Sequence, residues 1–268
     1  MKPKQTCVYM LNNDSKYINM FKTSVFMLRS HNQDIDINLV FLSSDDNQSL
    51  YDFCKDKKIT IVKKKINKKN YIQSEKCRVL KHFFDYDQIL FIDCDTFIFD
   101  NVDHIFNKYK DCEVAGCVNN WMFEINWNNN IIPNNYKPVN SGVYLINKLH
   151  RLIEGDYSNY LDYLTNNDNI ILRWMKDNGR SYNAEELAFT FMIAYNKRKF
   201  RQFDTNDVKL LEYEDDIYTS NKTKIFHTYA GSWRRTRDVL FPCKNVFINT
   251  KIMPKRKREK CTLLPLSL

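Results

Sequence analysis

Residues 88–101, QILFIDCDTFIFDN, constrain the fold of this chain more than any other stretch. Ile89, Leu90, Phe91 and Ile92 make a short apolar run of the kind that fills a strand buried on both faces, and the run stops at two carboxylates, Asp93 and Asp95. Such a strand belongs in a sheet covered by helices, and open α/β sheets bind their ligands in the crevice at the carboxyl ends of the strands. Two aspartates one residue apart can both reach one hard cation if the backbone turns between them, and Mg²⁺ or Mn²⁺ takes oxygen ligands of that kind. An ion held by few protein groups keeps positions open for phosphate oxygens, so the stretch points to a metal platform for a diphosphate. A D-x-D on its own is also common in solvated turns and helix caps. Here a second apolar run, residues 96–99, sets the pair between hydrophobic segments.

Around this strand the chain alternates between two periodicities. Residues 6–11 (TCVYML) read as a strand, followed by a turn at Asn12, Asn13, Asp14 and Ser15 and by a helical stripe through Ile18, Phe21, Val25 and Leu28. Residues 37–42 and 59–62 read as further strands with a helix around Leu50, Phe53 and Cys54 between them. A helix is expected from Ser74 to Tyr86, another over residues 102–109, and a strand over residues 112–118. Residues 119–136, rich in Asn and Trp, have no clean period and read as a long loop of the functional kind. A strand over residues 139–146 (VNSGVYLI) enters through a glycine-containing corner; residues 149–174 are mostly helical. EELAFTFMIAY at 185–195 is an apolar helix with two acids at its start, and short strands follow within 200–211 and 224–229. Strand alternating with helix predicts an α/β fold with a mainly parallel, Rossmann-like sheet flanked by helices. No repeat or linker divides it, so one domain over residues 1–240 is expected, with a basic irregular tail over residues 241–268.

Composition narrows the function classes. At 268 residues with 43% hydrophobic content the chain can bury a sizeable core. No apolar run is long enough to span a membrane, and the opening MKPKQTCVYML is too short and polar to be expected to act as a secretory signal. The eight cysteines stand singly, without a C-x-x-C pair, which reads as reduced thiols in a cytosol-like compartment and argues against a zinc site. The formal charge of +9 suits an anionic partner, but it is gathered in runs such as Lys63, Lys64 and Lys65 and the KRKREK of the tail, which are usually solvated, and no nucleic-acid motif accompanies it. Sequons begin at Asn13, Asn47 and Asn221; sugar on Asn13 would block the turn after the first strand, which favours a cytoplasmic chain. The richness in Asn, Lys and Ile suggests an AT-rich genome of a virus or protist.

Five pieces taken together resemble one family. VYMLNNDSKYINMFKTSVFMLRSHN, SEKCRVLKHFFDYDQILFIDCDTFIFDNVDHIF, VNSGVYLIN, AEELAF and HTYAGSW occur in the order found in the glycogenin-like retaining glycosyltransferases, glycosyltransferase family 8, on the nucleotide-diphospho-sugar (GT-A) fold. The resemblance implies that Asp93 and Asp95 bind Mn²⁺, with Mg²⁺ as the alternative, and that His227 supplies a third ligand. The H-x-x-G of the family is stretched here by one residue, to Gly231. Leu11, Asn12 and Tyr17 match the positions that hold base and ribose; Lys76, Cys94, Gly231, Trp233 and Arg234 match those near the diphosphate. Asn119, Asn140, Ser141 and Glu185 match the sugar side, and Glu186 stands where many members have Gln. Each has an ordinary structural alternative: a strand end for Leu11 and Asn12, a surface lysine for Lys76, a turn eased by Gly142 for the N-S-G corner, and a helix start for the two glutamates.

The implied activity is transfer of a hexose, glucose or galactose, from a UDP-sugar to a hydroxyl of a glycan, a protein or a small polyol, with retention at the anomeric carbon. Asn140, Glu185 and Glu186 are the implied catalytic group. Two readings from other classes stay open: a nucleic-acid-associated metal-dependent nucleotidyltransferase, and a non-catalytic module that binds nucleotide sugars. A homodimer is compatible with all of them.

Overall fold

The computed structural model describes residues 3–65, 75–119, 139–147, 150–166, 184–211, 223–228, 233 and 237. The first part is the expected alternation: β1 (Gln5–Asn12), α1 (Ser15–His31), β2 (Asp36–Leu42), α2 (Gln48–Asp56) and β3 (Ile59–Lys64). Helix α1 begins where the Asp14 carboxylate accepts the Lys16 N–H at 2.7 Å, and it ends where the Asn32 side chain donates to the Leu28 carbonyl. In β1 successive residues serve opposite faces: Cys7, Tyr9 and Leu11 join the core under α1 and α2, and Val8 and Met10 join the other core. A strand buried on both faces reads as an unbroken apolar run.

The chain continues through α3 (Glu75–Val79), β4 (Gln88–Ile92), β5 (Thr96–Ile98), α4 (Asp103–Lys108), β6 (Val114–Val118), β7 (Val139–Asn147), α5 (His150–Asn166), α6 (Ala184–Tyr195), β8 (Phe200–Gln202), β9 (Val208–Leu210) and β10 (Ile225–His227). The helix expected to run unbroken to Tyr86 instead tightens after Val79 into a 3₁₀ turn, Leu80–Phe83. Seven strands form one sheet in the order β3-β2-β1-β4-β7-β6-β8. From β3 to β4 the pairing is parallel, with Val8 opposite Phe91. Strand β7 lies antiparallel between β4 and β6 and places Val143 opposite Ile92.

The N-S-G segment is not a corner before the strand. Asn140, Ser141 and Gly142 are part of β7 itself, at the irregularity between its Val139–Val118 and Tyr144–Gly116 pairs with β6. A second, smaller sheet has the order β5-β10-β9, with β10 antiparallel to β5 and parallel to β9. It is fed directly from β4 through the residues 93–95. Helices α3, α5 and α6 cover the second face of the large sheet, where Tyr144 of β7 stacks on Phe91 of β4 at 4.9 Å and packs against Phe189 of α6. The loop over 120–136, the helical stretch after residue 166 and the tail over 241–268 lie outside the described residues. Among the described residues no helix is long and apolar enough to cross a membrane.

Candidate metal centre and its surroundings

The link between the two sheets fixes the centre. Beyond Ile92, three successive residues are each tied to a different strand. The Asp93 N–H donates to the Gly142 carbonyl of β7 at 2.7 Å, and the Cys94 thiol donates to the Met10 carbonyl of β1 at 3.4 Å. The Asp95 carbonyl accepts both the N–H and the hydroxyl of Thr228, at 3.1 and 2.8 Å. Thr228 follows β10, whose pairing with β5 sets His227 opposite Thr96. The result is a cluster of three groups from distant parts of the sequence. His227 Nε2 lies 3.4 Å from Asp95 Oδ1 and 3.7 Å from Asp93 Oδ2, and the donor atoms all fall within 4.8 Å of one another.

Neighbouring donors on a small divalent ion, with bonds of about 2.1 Å, sit roughly 3 Å apart, so modest contraction of this cluster would hold one. Two carboxylates and an imidazole suit a borderline ion such as Mn²⁺. The His227 Nδ1 atom is buried and has no hydrogen-bond partner among the described residues. Metal-bound imidazoles usually donate from that second nitrogen.

Lys76 stands directly beside the cluster. Its Nζ is 2.8 Å from Asp93 Oδ2 and 3.3 Å from the Ser141 carbonyl. The surface alternative for Lys76 fails, because the residue is only 6% exposed. Helix α3 is held in place by Glu75, which pairs with Lys64 at the end of β3 and with Arg78, while Arg78 also reaches Asp162 of α5 at 2.7 Å. A five-residue helix pinned on two sides delivers a buried lysine to a half-buried aspartate.

Glu185 and Glu186, in the first turn of α6, form the far wall. One Glu186 oxygen accepts from the Asn140 side chain at 2.6 Å and the other from the Asn119 side chain at 3.0 Å. Asn140 Oδ1 in turn accepts the Gly142 N–H at 2.9 Å. Thr190 ties the helix to the strand: its hydroxyl donates to the Glu186 carbonyl and accepts the Val139 N–H. Glu185 Oε2 and Asn119 Oδ1 are buried and lack partners among the described residues.

The electrostatics of this arrangement are lopsided. Four carboxyl groups converge on one ammonium and one imidazole. Burial pushes the Glu185 carboxyl up to about 8 and that of Glu186 up to about 7, against the pull of Lys76. Burial also raises Asp93, and the charge of Lys76 only partly offsets it. For Lys76 burial acts downward, but Asp93, Glu185 and Glu186 outweigh it and hold the ammonium above its ordinary value. His227 behaves alike: burial lowers it and Asp95 and Asp93 carry it upward. Burial leads the shifts of the carboxyl groups, while those of Lys76 and His227 reflect the carboxylates gathered around them.

The remaining expected residues are placed as follows. Ser141 is buried and contributes its carbonyl to Lys76. Tyr17, half-buried, stands close enough to Asp95 for that charge, after burial, to raise its hydroxyl. The Asn12 side chain accepts the Asp14 N–H at 3.4 Å, and Leu11 points into the core. Trp233 is buried against Phe97 at 5.9 Å, which seats it under the small sheet. Gly231 and Arg234 lie outside the described residues. Thr228 and Thr190, whose hydroxyls fix the Asp95 turn and the start of α6, carry no signal in the sequence. Thr228 directly follows the histidine, and no local pattern distinguishes it.

No protein-family profile and no curated protein sequence matches the chain. Solved structures do share its fold. The galactosyltransferase LgtC, in complex with donor and acceptor sugar analogues, superposes with a TM-score of 0.55 at 10% identity, covering 95% of this chain and 99% of that one. The apo form of the glycosyltransferase GlyE of Streptococcus pneumoniae gives 0.59 at 13% identity, covering 88% of this chain and 60% of that one. Mouse xyloside xylosyltransferase 1 gives 0.52 at 12%, covering 83% and 97%. The architecture is the GT-A glycosyltransferase fold.

Proposed function

We propose that this chain transfers a hexose, glucose or galactose, from a UDP-sugar to an acceptor hydroxyl on a glycan, a protein or a polyol, with retention at the anomeric carbon. The observation that carries the reading is the Asp93, Asp95 and His227 cluster at the carboxyl end of β4, beside a buried lysine and short of positive charge. Asp93, Asp95 and His227 would hold Mn²⁺, or Mg²⁺, which when bound supplies countercharge to the departing diphosphate. Lys76 adds a fixed ammonium next to Asp93, buried so that water screens it little. The resemblance would add the segment of Trp233 and Arg234 to the diphosphate side; Trp233 is packed on Phe97, and Arg234 lies outside the described residues.

On the sugar side the two glutamates divide the work. Both oxygens of Glu186 are already engaged by Asn119 and Asn140, which makes it a fixed wall that orients those amides. Glu185 keeps a buried oxygen without a described partner and is the group that accepts a sugar hydroxyl near the anomeric carbon. The route we propose is a front-face departure, in which the leaving phosphate takes the acceptor's proton; a covalent intermediate on Glu185 is its alternative.

The test is UDP release from a panel of UDP-hexoses with Mn²⁺, with and without EDTA, on the purified chain and on Asp95→Ala, with intact mass recorded. Release from one sugar, lost with EDTA and at least about 100-fold weaker in the variant, is expected. Absence of release and of binding with every nucleotide sugar would end the transferase reading in favour of the nucleotidyltransferase one.

A further inference from the structure

We infer that Gly142 is a positioning residue for the metal centre, whose missing side chain is the seat of the His227 imidazole; the inference rests on the reading of Asp93, Asp95 and His227 as that centre. The N-S-G segment offers no backbone reason for a glycine. Gly142 lies within β7, at the irregularity between the Tyr144–Gly116 and Val139–Val118 pairs with β6, and its φ is outside the left-handed region. The reason is steric. A Cβ built on Gly142 would lie 2.0 Å from His227 Cε1, 2.4 Å from Nε2 and 2.7 Å from Nδ1, all inside the 3.0 Å that real Cβ contacts respect. The overlap falls on the edge of the ring that carries the ligating nitrogen.

Neither backbone has room to yield. Gly142 is fixed through its N–H, which donates to Asn140 Oδ1, and through its carbonyl, which accepts the Asp93 N–H at 2.7 Å. His227 is held by β10, paired to Thr96 on one side and Leu210 on the other, and its ring is buried. A methyl group at position 142 would therefore turn the imidazole about its χ1 and carry Nε2 away from Asp93 and Asp95. One residue thus sets two ligands by different means: Asp93 through its carbonyl, His227 through the space it leaves. It is also where the large sheet touches the small one at the centre.

A double-mutant cycle tests this in the metal-free protein and with Mn²⁺ as the probe. Wild type, Gly142→Ala, His227→Ala, the double variant and Asp95→Ala are compared by thermal unfolding without metal and by titration of Mn²⁺ followed by electron paramagnetic resonance. Gly142→Ala is expected to weaken Mn²⁺ binding about 10- to 100-fold and to lower Tm on the order of 5 °C. In the His227→Ala background the same change is expected to do neither, because the ring it displaces is gone. Folding of the double variant where Gly142→Ala alone does not fold would support the inference equally.

Equal losses of Tm in both backgrounds, or misfolding in both, would show that the glycine serves some other packing and overturn the inference. Wild-type Mn²⁺ affinity in Gly142→Ala, with Asp95→Ala still impaired, would overturn it while leaving the metal centre standing. Mn²⁺ uptake that ignores Asp95→Ala would remove the centre and the inference together.

Discussion

Glu185 and Glu186 show how individual side chains report on what the site lacks. Both are adjacent in sequence, both are buried, and both bind protons more tightly than the 4.5 of a free glutamate, at about 8 and about 7. The sign of the consequence follows from linkage. A carboxyl whose folded pKa is raised contributes its full share of stability below the unfolded value and loses it as pH rises through the folded one. The metal-free protein is therefore expected to lose stability as pH rises from the ordinary carboxyl range through 7 to 8, and Glu185→Gln to flatten that decline; thermal unfolding at a series of pH values measures both. At this scale the sequence was partly readable. Asp93 and Asp95 stood out because they interrupt an apolar run, a pattern that costs stability unless something is bound there. His227, Lys76 and the glutamates were singled out only through resemblance, since a histidine in a strand or a glutamate at a helix start looks the same whether it is idle or employed. Thr228 and Gly142 act through contacts with residues more than 80 positions away, and no local spacing encodes those.

Among the elements, β7 and α6 together build the wall that faces Lys76 and the Asp93 cluster. Their alignment depends on Thr190, which bridges the Val139 N–H and the Glu186 carbonyl at 3.0 and 2.8 Å. Thr190→Val would leave a buried N–H unpartnered and is expected to lower stability by about 1–3 kcal/mol, whereas Thr190→Ser keeps the bridge and most of the stability; chemical denaturation distinguishes the two. The existence of most described elements was legible, because period 2 and period 3.6 differ plainly over runs as long as Ser15–His31. Direction was not. Residues 139–147 are buried from end to end, and a strand covered on both faces presents the same composition whether it runs parallel or antiparallel. Separation into two sheets was equally hidden: β5 and β10 have three residues each, too short to show any period, and their pairing is a tertiary fact.

For the whole molecule, the order of the strands assigns different importance to different ends of the chain. The tail after residue 240 adds charge, whereas β10 carries His227 and leads into Thr228, the clamp on Asp95. A chain ending after residue 240 is expected to bind Mn²⁺ as the full chain does; one ending after residue 222 is expected to keep much of its helix and sheet signal by circular dichroism and to bind none. The tie between Asp95 and Thr228 spans 133 positions, and it has a meaning for the chain as it is made. The acidic turn is synthesised early and stays chemically idle until the histidine more than a hundred residues later is translated and docked. The cluster is thereby withheld from any product that stops short of His227. The cluster closes last, and only a molecule made through Thr228 carries all three of its groups together with the clamp on Asp95.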